Sequence, residues 1–185
     1  IDRKRLITDP LRLFAYGTDA SFYRLIPKLI VRATTTEEIR AIVAAATKFS
    51  IPVTFRAAGT ALSGQSATDS VLVLTGKDWE GIKIDETGEH IEVQPGIIGA
   101  RVNKLLAPYG RKLGPDPASV RSAMIGGIVA NNASGMNGTD ENSYKTSDSV
   151  RIVLADGTVL DTGSPASRDE FRHTHPEFLA RLEEI

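Results

Sequence analysis

The chain has 185 residues, 41% of them hydrophobic, enough for one sizeable core or for two small lobes sharing an interface. A formal net charge of −1 gives no footprint for nucleic acid or an anionic surface, and the absence of cysteine excludes disulfides, thiolate catalysis and Cys-held zinc or iron–sulfur centres within it. No apolar run approaches the ~20 residues of a membrane span, and "IDRKRLITDP" lacks a signal-peptide core.

Residues 1–27 read as a helical lead-in. "KLIVR" follows as a buried strand. Thr35 and Glu38 form a capping box, and Ile39, Ile42, Val43 and Ala46 recur at helical spacing, which predicts a helix over 36–49. "VTF" is the next buried strand, and it runs into "RAAGTALSGQS", Arg56 to Ser66. That stretch is longer than a plain strand connection of about two to five residues. It consists almost wholly of groups that let another molecule approach the backbone, and it sits at the carboxyl end of a strand, where α/β folds place ligands.

"VLVL" is a further buried strand. Ile82/Ile84 and Ile91/Val93 then alternate about Thr87-Gly88 as a hairpin. "IIGARVNKLLAPYG" puts Ile98, Val102, Leu105 and Leu106 on one helical face, stopped by Pro108 and Gly110. Next comes "GPDPASVRSAMIGGIVANNASGMNG", Gly114 to Gly138, opened by a rigid two-proline bend. Gly126 and Gly127 would each cost a helix roughly 1 kcal/mol relative to alanine, which makes sense if something lies against the backbone there. Asn131, Asn132 and Ser134 offer amide and hydroxyl groups in a row. "VRIVLADGTVLDT" reads as a hairpin with a tight two-residue turn at Asp156-Gly157. The predicted class is α+β, with one lobe over 28–76, a second over 77–163 and a helical segment over 164–185. The start at Ile1 and the amphipathic "EFLARLEEI" at the end, with nothing after it to pack on, read as a piece of a longer protein.

Consecutive N–H groups in the glycine-bearing turn 57–63 form a nest suited to phosphate oxygens, with Thr60 and Ser63 adding hydroxyls. Arg56 either adds charge there or is a strand-end salt-bridge partner, and an ordinary long connection stays open as an alternative. "GTALSG" is not a P-loop, because it lacks the lysine and the Ser/Thr that binds magnesium, and no G-x-G-x-x-G opens a helix. His173 and His175 lack further metal-ligand partners and read as a solvated turn, while His90 reads as a strand-surface residue. Glu37 and Glu38 complement a helix start. Trp79 and Tyr144 read as packing residues.

"RAAGTALSG", then "GPDPASVRSAMIGGIVANNASG", then "VRIVLADGTVL", in that order, resemble the FAD-binding domain of the vanillyl-alcohol oxidase/p-cresol methylhydroxylase (PCMH-type) superfamily. Within it the chain looks most like the FAD-linked 2-hydroxy-acid dehydrogenases, namely D-lactate dehydrogenase, the FAD-linked component of glycolate oxidase and their iron–sulfur-linked relatives. The likeness runs from about Ser21 to Thr162 and includes "SFYRLIPKLIVRATTTEEI". It implies the PCMH-type fold of two α/β lobes and an oxidoreductase that passes a hydride from a 2-hydroxy acid to FAD.

The resemblance also implies site roles. With Arg56 at its base, the run Ala57, Ala58, Gly59, Thr60, Ala61, Leu62 and Ser63 would wrap the FAD pyrophosphate with backbone amides. Pro115, Asp116, Ser119, Ser122 and Met124 would line the second side. Gly126 and Gly127 would permit close passage of the ribityl-pyrophosphate chain. Asn131, Asn132, Ala133 and Ser134 would hold the ribityl-flavin end, and Ile152 or a neighbour would meet the adenine through its backbone. Ile128 departs from an asparagine common in relatives, and Lys145 from a glycine. Neither loop contains the histidine or cysteine that tethers flavin covalently, so FAD is expected non-covalent.

Substrate-side groups, the electron acceptor and any iron–sulfur cluster would belong to other parts of the parent. No catalytic residue or metal ligand is therefore assigned, and the chain alone is expected to bind FAD weakly without turnover. No nucleic acid partner is expected, and a cytoplasmic place is implied, including one peripheral to the inner face of the membrane. Two alternatives stay open: an FAD domain of the UDP-N-acetylenolpyruvoylglucosamine reductase type, and a non-enzymatic module binding a nucleotide, a phosphate or a partner protein.

Overall fold

The computed structural model describes residues 1–136 and 140–184. Asn137 and Gly138, at the end of the predicted glycine-rich stretch, and Ile185, at the end of the predicted last helix, lie outside the described residues.

A four-stranded sheet carries the first half of the chain. Its strands are β1 (Leu6–Ile7), β2 (Leu29–Arg32), β3 (Val53–Arg56) and β4 (Val71–Leu74), in the spatial order β1-β2-β4-β3. Strands β2 and β3 both run parallel to β4, and β1 is antiparallel to β2. Short runs of branched apolar residues suit a parallel sheet covered on both faces, and Ile30, Leu72 and Val73 are fully buried. Helix α2 (Thr36–Phe49) covers one face, packing Ile39 against Val31, Ala33 and Val73. The lead-in covers the other, where Ile7 packs on Ile30 and Leu72 beside Leu13 of helix α1 (Pro10–Ala15) and Tyr16. So residues 1–27 contribute a strand as well as a helix.

The start of α2 is half a capping box. Thr35 is extended and its Oγ1 accepts the Glu38 N–H, as predicted. The Glu38 carboxylate reaches past Thr35, accepting the Thr34 N–H at 2.8 Å and a two-pronged contact from Arg5. The reciprocal bond is lost because a guanidinium from the lead-in claims the carboxylate.

Beyond β4, strands β5 (Ile82–Ile84) and β6 (Ile91–Val93) pair antiparallel, with Ile82 opposite Val93 and Ile84 opposite Ile91. Helix α3 (Gly99–Leu106) buries Val102 and Leu106 but leaves Leu105 38% exposed. Two of the four predicted residues thus form the buried face; Ile98 is instead the half-buried N-cap, and fully buried Ile97 fills the core from the extended segment before it. Ile97, Val102, Leu106, Ala123, Ile125 and Ile128 make a separate apolar cluster, with the last two on helix α4 (Ile125–Ala130). Short helix α5 (Ser143–Thr146) follows.

The last hairpin joins β7 (Arg151–Val153) to β8 (Val159–Asp161). Its turn is not the predicted two-residue type. Gly157 N–H donates to Leu154 C=O and Leu154 N–H to Thr158 C=O, which leaves three loop residues with Gly157 at φ 87°. That is a type I turn closed by a glycine bulge, equally served by Asp-Gly. The hairpin folds back on α2, where Arg40 Nε donates to Gly157 C=O at 2.9 Å and Thr47 Oγ1 to Ala155 C=O at 2.7 Å. Helices α6 (Pro165–Thr174) and α7 (Pro176–Glu183) complete the described chain. His175 at their junction bonds Asp156 at 2.8 Å and stacks on Phe171, so it anchors the helices to the hairpin.

Candidate cofactor site

Strand β3 ends at Arg56, and residues 57–66 leave it at the carboxyl end of the sheet. Hydrogen-bond bookkeeping in this loop is one-sided. Gly59 C=O accepts from Ala20 N–H, Gly64 C=O from Ala67 N–H, and Ser66 C=O from the Arg56 guanidinium. Among the described residues, no backbone N–H from 57 to 66 donates a hydrogen bond. Three carbonyls of the loop are thus engaged, while its donors are left without an acceptor among the described residues. Gly59 and Gly64, at φ 72° and 81°, supply the left-handed steps that such a turn needs. A run of backbone donors in a concave turn attracts an anion. Leu62, the loop's one large apolar residue, is 74% exposed and blocks nothing inside.

The second segment is fixed by its own main chain. Asp116 N–H donates to Ser134 C=O at 2.9 Å, and Met136 N–H to Asp116 C=O at 3.4 Å. This approach is so close that a Cβ on Gly135, at φ 72°, would lie 1.7 Å from the Asp116 carbonyl oxygen. Ile125 N–H donates to Ile97 C=O and Gly126 N–H to Pro95 C=O, both at 2.9 Å. The amides of Ser119, Arg121, Met124 and Gly127 have no partner among the described residues. The two segments start from one edge: Thr75 N–H donates to Arg56 C=O, and Met124 Cε lies 3.8 Å from where a Cβ on neighbouring Gly76 would sit.

The paired glycines separate in role. A Cβ on Gly126 would meet Pro95 Cβ at 2.6 Å, so its bareness serves packing, whereas nothing lies within 4 Å of a Cβ on Gly127. Only Gly127 presents bare backbone to open space. Pro115 is buried and packs inward, while Asp116 faces Lys112 at 3.9 Å. Ser122 and Asn131 are exposed, and Ser119, Met124, Ala133 and Ser134 half-buried. Asn132 adopts φ 44°, and its Oδ1 accepts the Tyr144 N–H at 3.0 Å, tying α5 beneath the segment. Ser143, fully buried, adds Oγ bonds to Ile128 C=O and Ala133 C=O.

Ile152 sits opposite Leu160, in phase with the bonded pairs Val150–Thr162 and Leu154–Thr158. Its backbone is therefore turned toward β8, and the groups facing the open edge of β7 belong to Arg151 and Val153. Arg56 is neither a free charge nor a salt-bridge partner. It is 5% exposed, and its fork donates to Ser66, Tyr16 and Thr18 carbonyls.

The sequence reading missed the support behind the loop. Asp19 accepts the Ser66 hydroxyl at 2.7 Å and the Ser21 N–H at 2.8 Å. Partial burial pushes its carboxyl up, but these bonds and the Arg56 charge outweigh that and hold its pKa below the ordinary value. Burial pulls the Arg56 pKa down against the field of Asp19, and a guanidinium stays charged under such a pull. The available signal was "TDAS", an aspartate two residues before a serine in a turn, just outside the stretch from Ser21 that carried the resemblance.

An open hollow of about 370 Å³ lies elsewhere, between α2 and the last hairpin, lined by Glu37, Arg40, Ala41, Ala44, Asp156, Gly157 and Thr158. Its charges are mixed, and Arg40 and Asp156 are already engaged with Gly157 and His175. An anion finds no surplus of donors there. The donor-rich loop and the bare Gly127 backbone do fit a diphosphate with a chain attached.

A sequence profile of the FAD binding domain family matches residues 27–163. Glycolate oxidase subunit GlcD of Escherichia coli is 33% identical over 153 residues, covering 79% of this chain and 30% of that protein. D-2-hydroxyglutarate dehydrogenase of Haemophilus influenzae is 30% identical over 160 residues, covering 83% and 15%. The chain thus spans less than a third of the length of either of these relatives. Among solved structures, alkyldihydroxyacetonephosphate synthase superposes with a TM-score of 0.74 at 21% identity, covering 91% of this chain and 35% of that one. The chain belongs to the FAD binding domain family, with the α+β fold of the vanillyl-alcohol oxidase/p-cresol methylhydroxylase flavoenzymes and FAD as its cofactor.

Proposed function

We propose that this chain is the FAD-holding part of an oxidoreductase acting on a small 2-hydroxy acid, in the manner of glycolate, D-lactate or D-2-hydroxyglutarate. The observation that carries the reading is the 57–66 loop, whose amides donate to nothing among the described residues while Gly59, Gly64 and Ser66 carbonyls are engaged. Residues 57–63 take the diphosphate through backbone N–H groups, with Thr60 and Ser63 hydroxyls beside them. Gly127 lets the linking chain pass against bare backbone, and Ser119 to Met124 with Asn131 to Ser134 flank it. The strand edge at Arg151 and Val153 is the adenine neighbour in place of Ile152. In this reading the lobes 28–76 and 77–163 meet at the cofactor, and bound FAD supplies the hydride acceptor.

The substrate class comes from the named relatives, and the groups that bind the acid and take its proton lie in parts of such proteins that this chain does not cover. A cytoplasmic place and an electron acceptor beyond the chain belong to the same reading. The test is a visible absorption spectrum of the intact protein, followed by dye reduction with D-lactate, glycolate and D-2-hydroxyglutarate. Flavin bands that bleach anaerobically with one of these acids are expected. No flavin uptake contradicts the binding role, and bleaching by NADPH but by no hydroxy acid contradicts the substrate class.

A further inference from the structure

We propose that Arg56 is a positioning residue for the cofactor, acting wholly through the loop and never as a charge in contact with phosphate. The inference rests on the reading that residues 57–63 hold a diphosphate. Nε and Nη2 of Arg56 both donate to Ser66 C=O, at 2.8 and 2.5 Å. Nη1 donates to Tyr16 C=O at 2.8 Å and Thr18 C=O at 3.2 Å. The guanidinium has only five N–H donors, in a rigid fork, and this one is buried among three carbonyls. The residue that opens the loop thereby grips the residue that closes it, and ties both to the lead-in.

That grip accounts for the unpartnered amides. Ser66 C=O is drawn to the buried cation, and Gly59 C=O is held by Ala20 from the same lead-in segment, so both ends of the turn are fixed through carbonyls and the N–H groups between them stay without acceptors among the described residues. Arg56 Cδ lies 3.3 Å from where a Cβ on Gly59 would be, directly beneath the first left-handed step. Asp19 acts as a second fastener by holding the Ser66 hydroxyl. A lysine at 56 would keep the charge but lose the fork, because one ammonium cannot chelate one carbonyl and reach two others in the same plane.

The test measures FAD and ADP affinity of the intact, flavin-stripped protein, together with its melting temperature. Arg56→Lys is expected to weaken FAD and ADP alike by tenfold or more while the stripped protein still melts within a few degrees of wild type. A charge in direct contact would instead be largely preserved by lysine, so near-wild-type affinity overturns the proposal. A merely structural role would lower the melting temperature and leave affinity in the folded fraction unchanged, which also overturns it. Should Arg56→Lys not fold, Asp19→Asn decides by sign. Loss of one acceptor for Ser66 weakens both ligands about threefold if Arg56 and Asp19 position the loop, whereas unmasking a contacting charge would tighten them. Unchanged or tighter binding overturns the inference. Wild-type protein that takes up neither FAD nor ADP removes the functional reading and this inference together.

Discussion

The two segments at the carboxyl edge of the sheet are equally poor in large side chains and are held in opposite ways. The 57–66 loop is fastened by side chains reaching main-chain and hydroxyl groups, chiefly Arg56 and Asp19. The 114–136 segment is fastened chiefly by main chain on main chain, at Asp116–Ser134, Pro95–Gly126 and Ile97–Ile125, with Ser143 and Asn132 adding side-chain bonds. The first arrangement leaves every loop amide available, at the risk that one side-chain change loosens the whole turn. The second commits most of its amides and leaves only a few without partners among the described residues, but it tolerates no added Cβ at its crossing point. Bareness in a sequence can therefore mean ligand access in one place and self-packing in another.

That contrast can be broken at its stiffest point first. Gly135→Ala places a methyl on the Asp116 carbonyl and forces a left-handed residue, so a loss of more than ~3 kcal/mol in denaturant titration is expected. Gly126→Ala should follow with ~1–2 kcal/mol, since Pro95 must move to admit the methyl. The lead-in's grip on α2 is instead tested by pH. Arg5, through its hydrogen bonds, and then Thr34 hold Glu38 down to about 2. Its folded pKa is depressed, so the stabilisation is full above about pH 4.5, the unfolded value, and is lost as pH falls through about 2. Glu38→Gln should therefore cost about 1 kcal/mol at neutral pH and flatten the decline in melting temperature on acidification. Gly127→Leu should have the smallest effect on stability, a gain of ~0.5 kcal/mol from helix propensity, while weakening FAD about tenfold. A Gly127 variant that loses stability but not FAD would show that both glycines serve packing.

Local pattern made much of this molecule legible. The period of Ile39, Ile42, Val43 and Ala46 with Thr35 before them placed α2 on its observed bounds, because a capped amphipathic helix is specified within its own sequence. The alternation around Thr87-Gly88 placed β5 and β6 for the same reason. What stayed hidden depends on partners distant in sequence. Nothing near Glu38 announces that Arg5 will take its carboxylate, and nothing near Gly126 announces Pro95. Arg56 was visible as a site residue, but its role was not, since burial and three carbonyls from two segments appear only once the lead-in folds against the loop. Ile152 was placed on the right strand, and the ladder phase that turns its backbone toward β8 is set by pairing.

Hydrogen–deuterium exchange of the intact protein, flavin-stripped and then FAD-loaded, tests the unpartnered amides most directly. The account predicts that residues 57–66 exchange fast without cofactor, having no internal acceptors, and become strongly protected with FAD, together with the peptide around Gly127. Unchanged exchange at 57–66, with protection appearing instead in the hollow between α2 and the last hairpin, would contradict it.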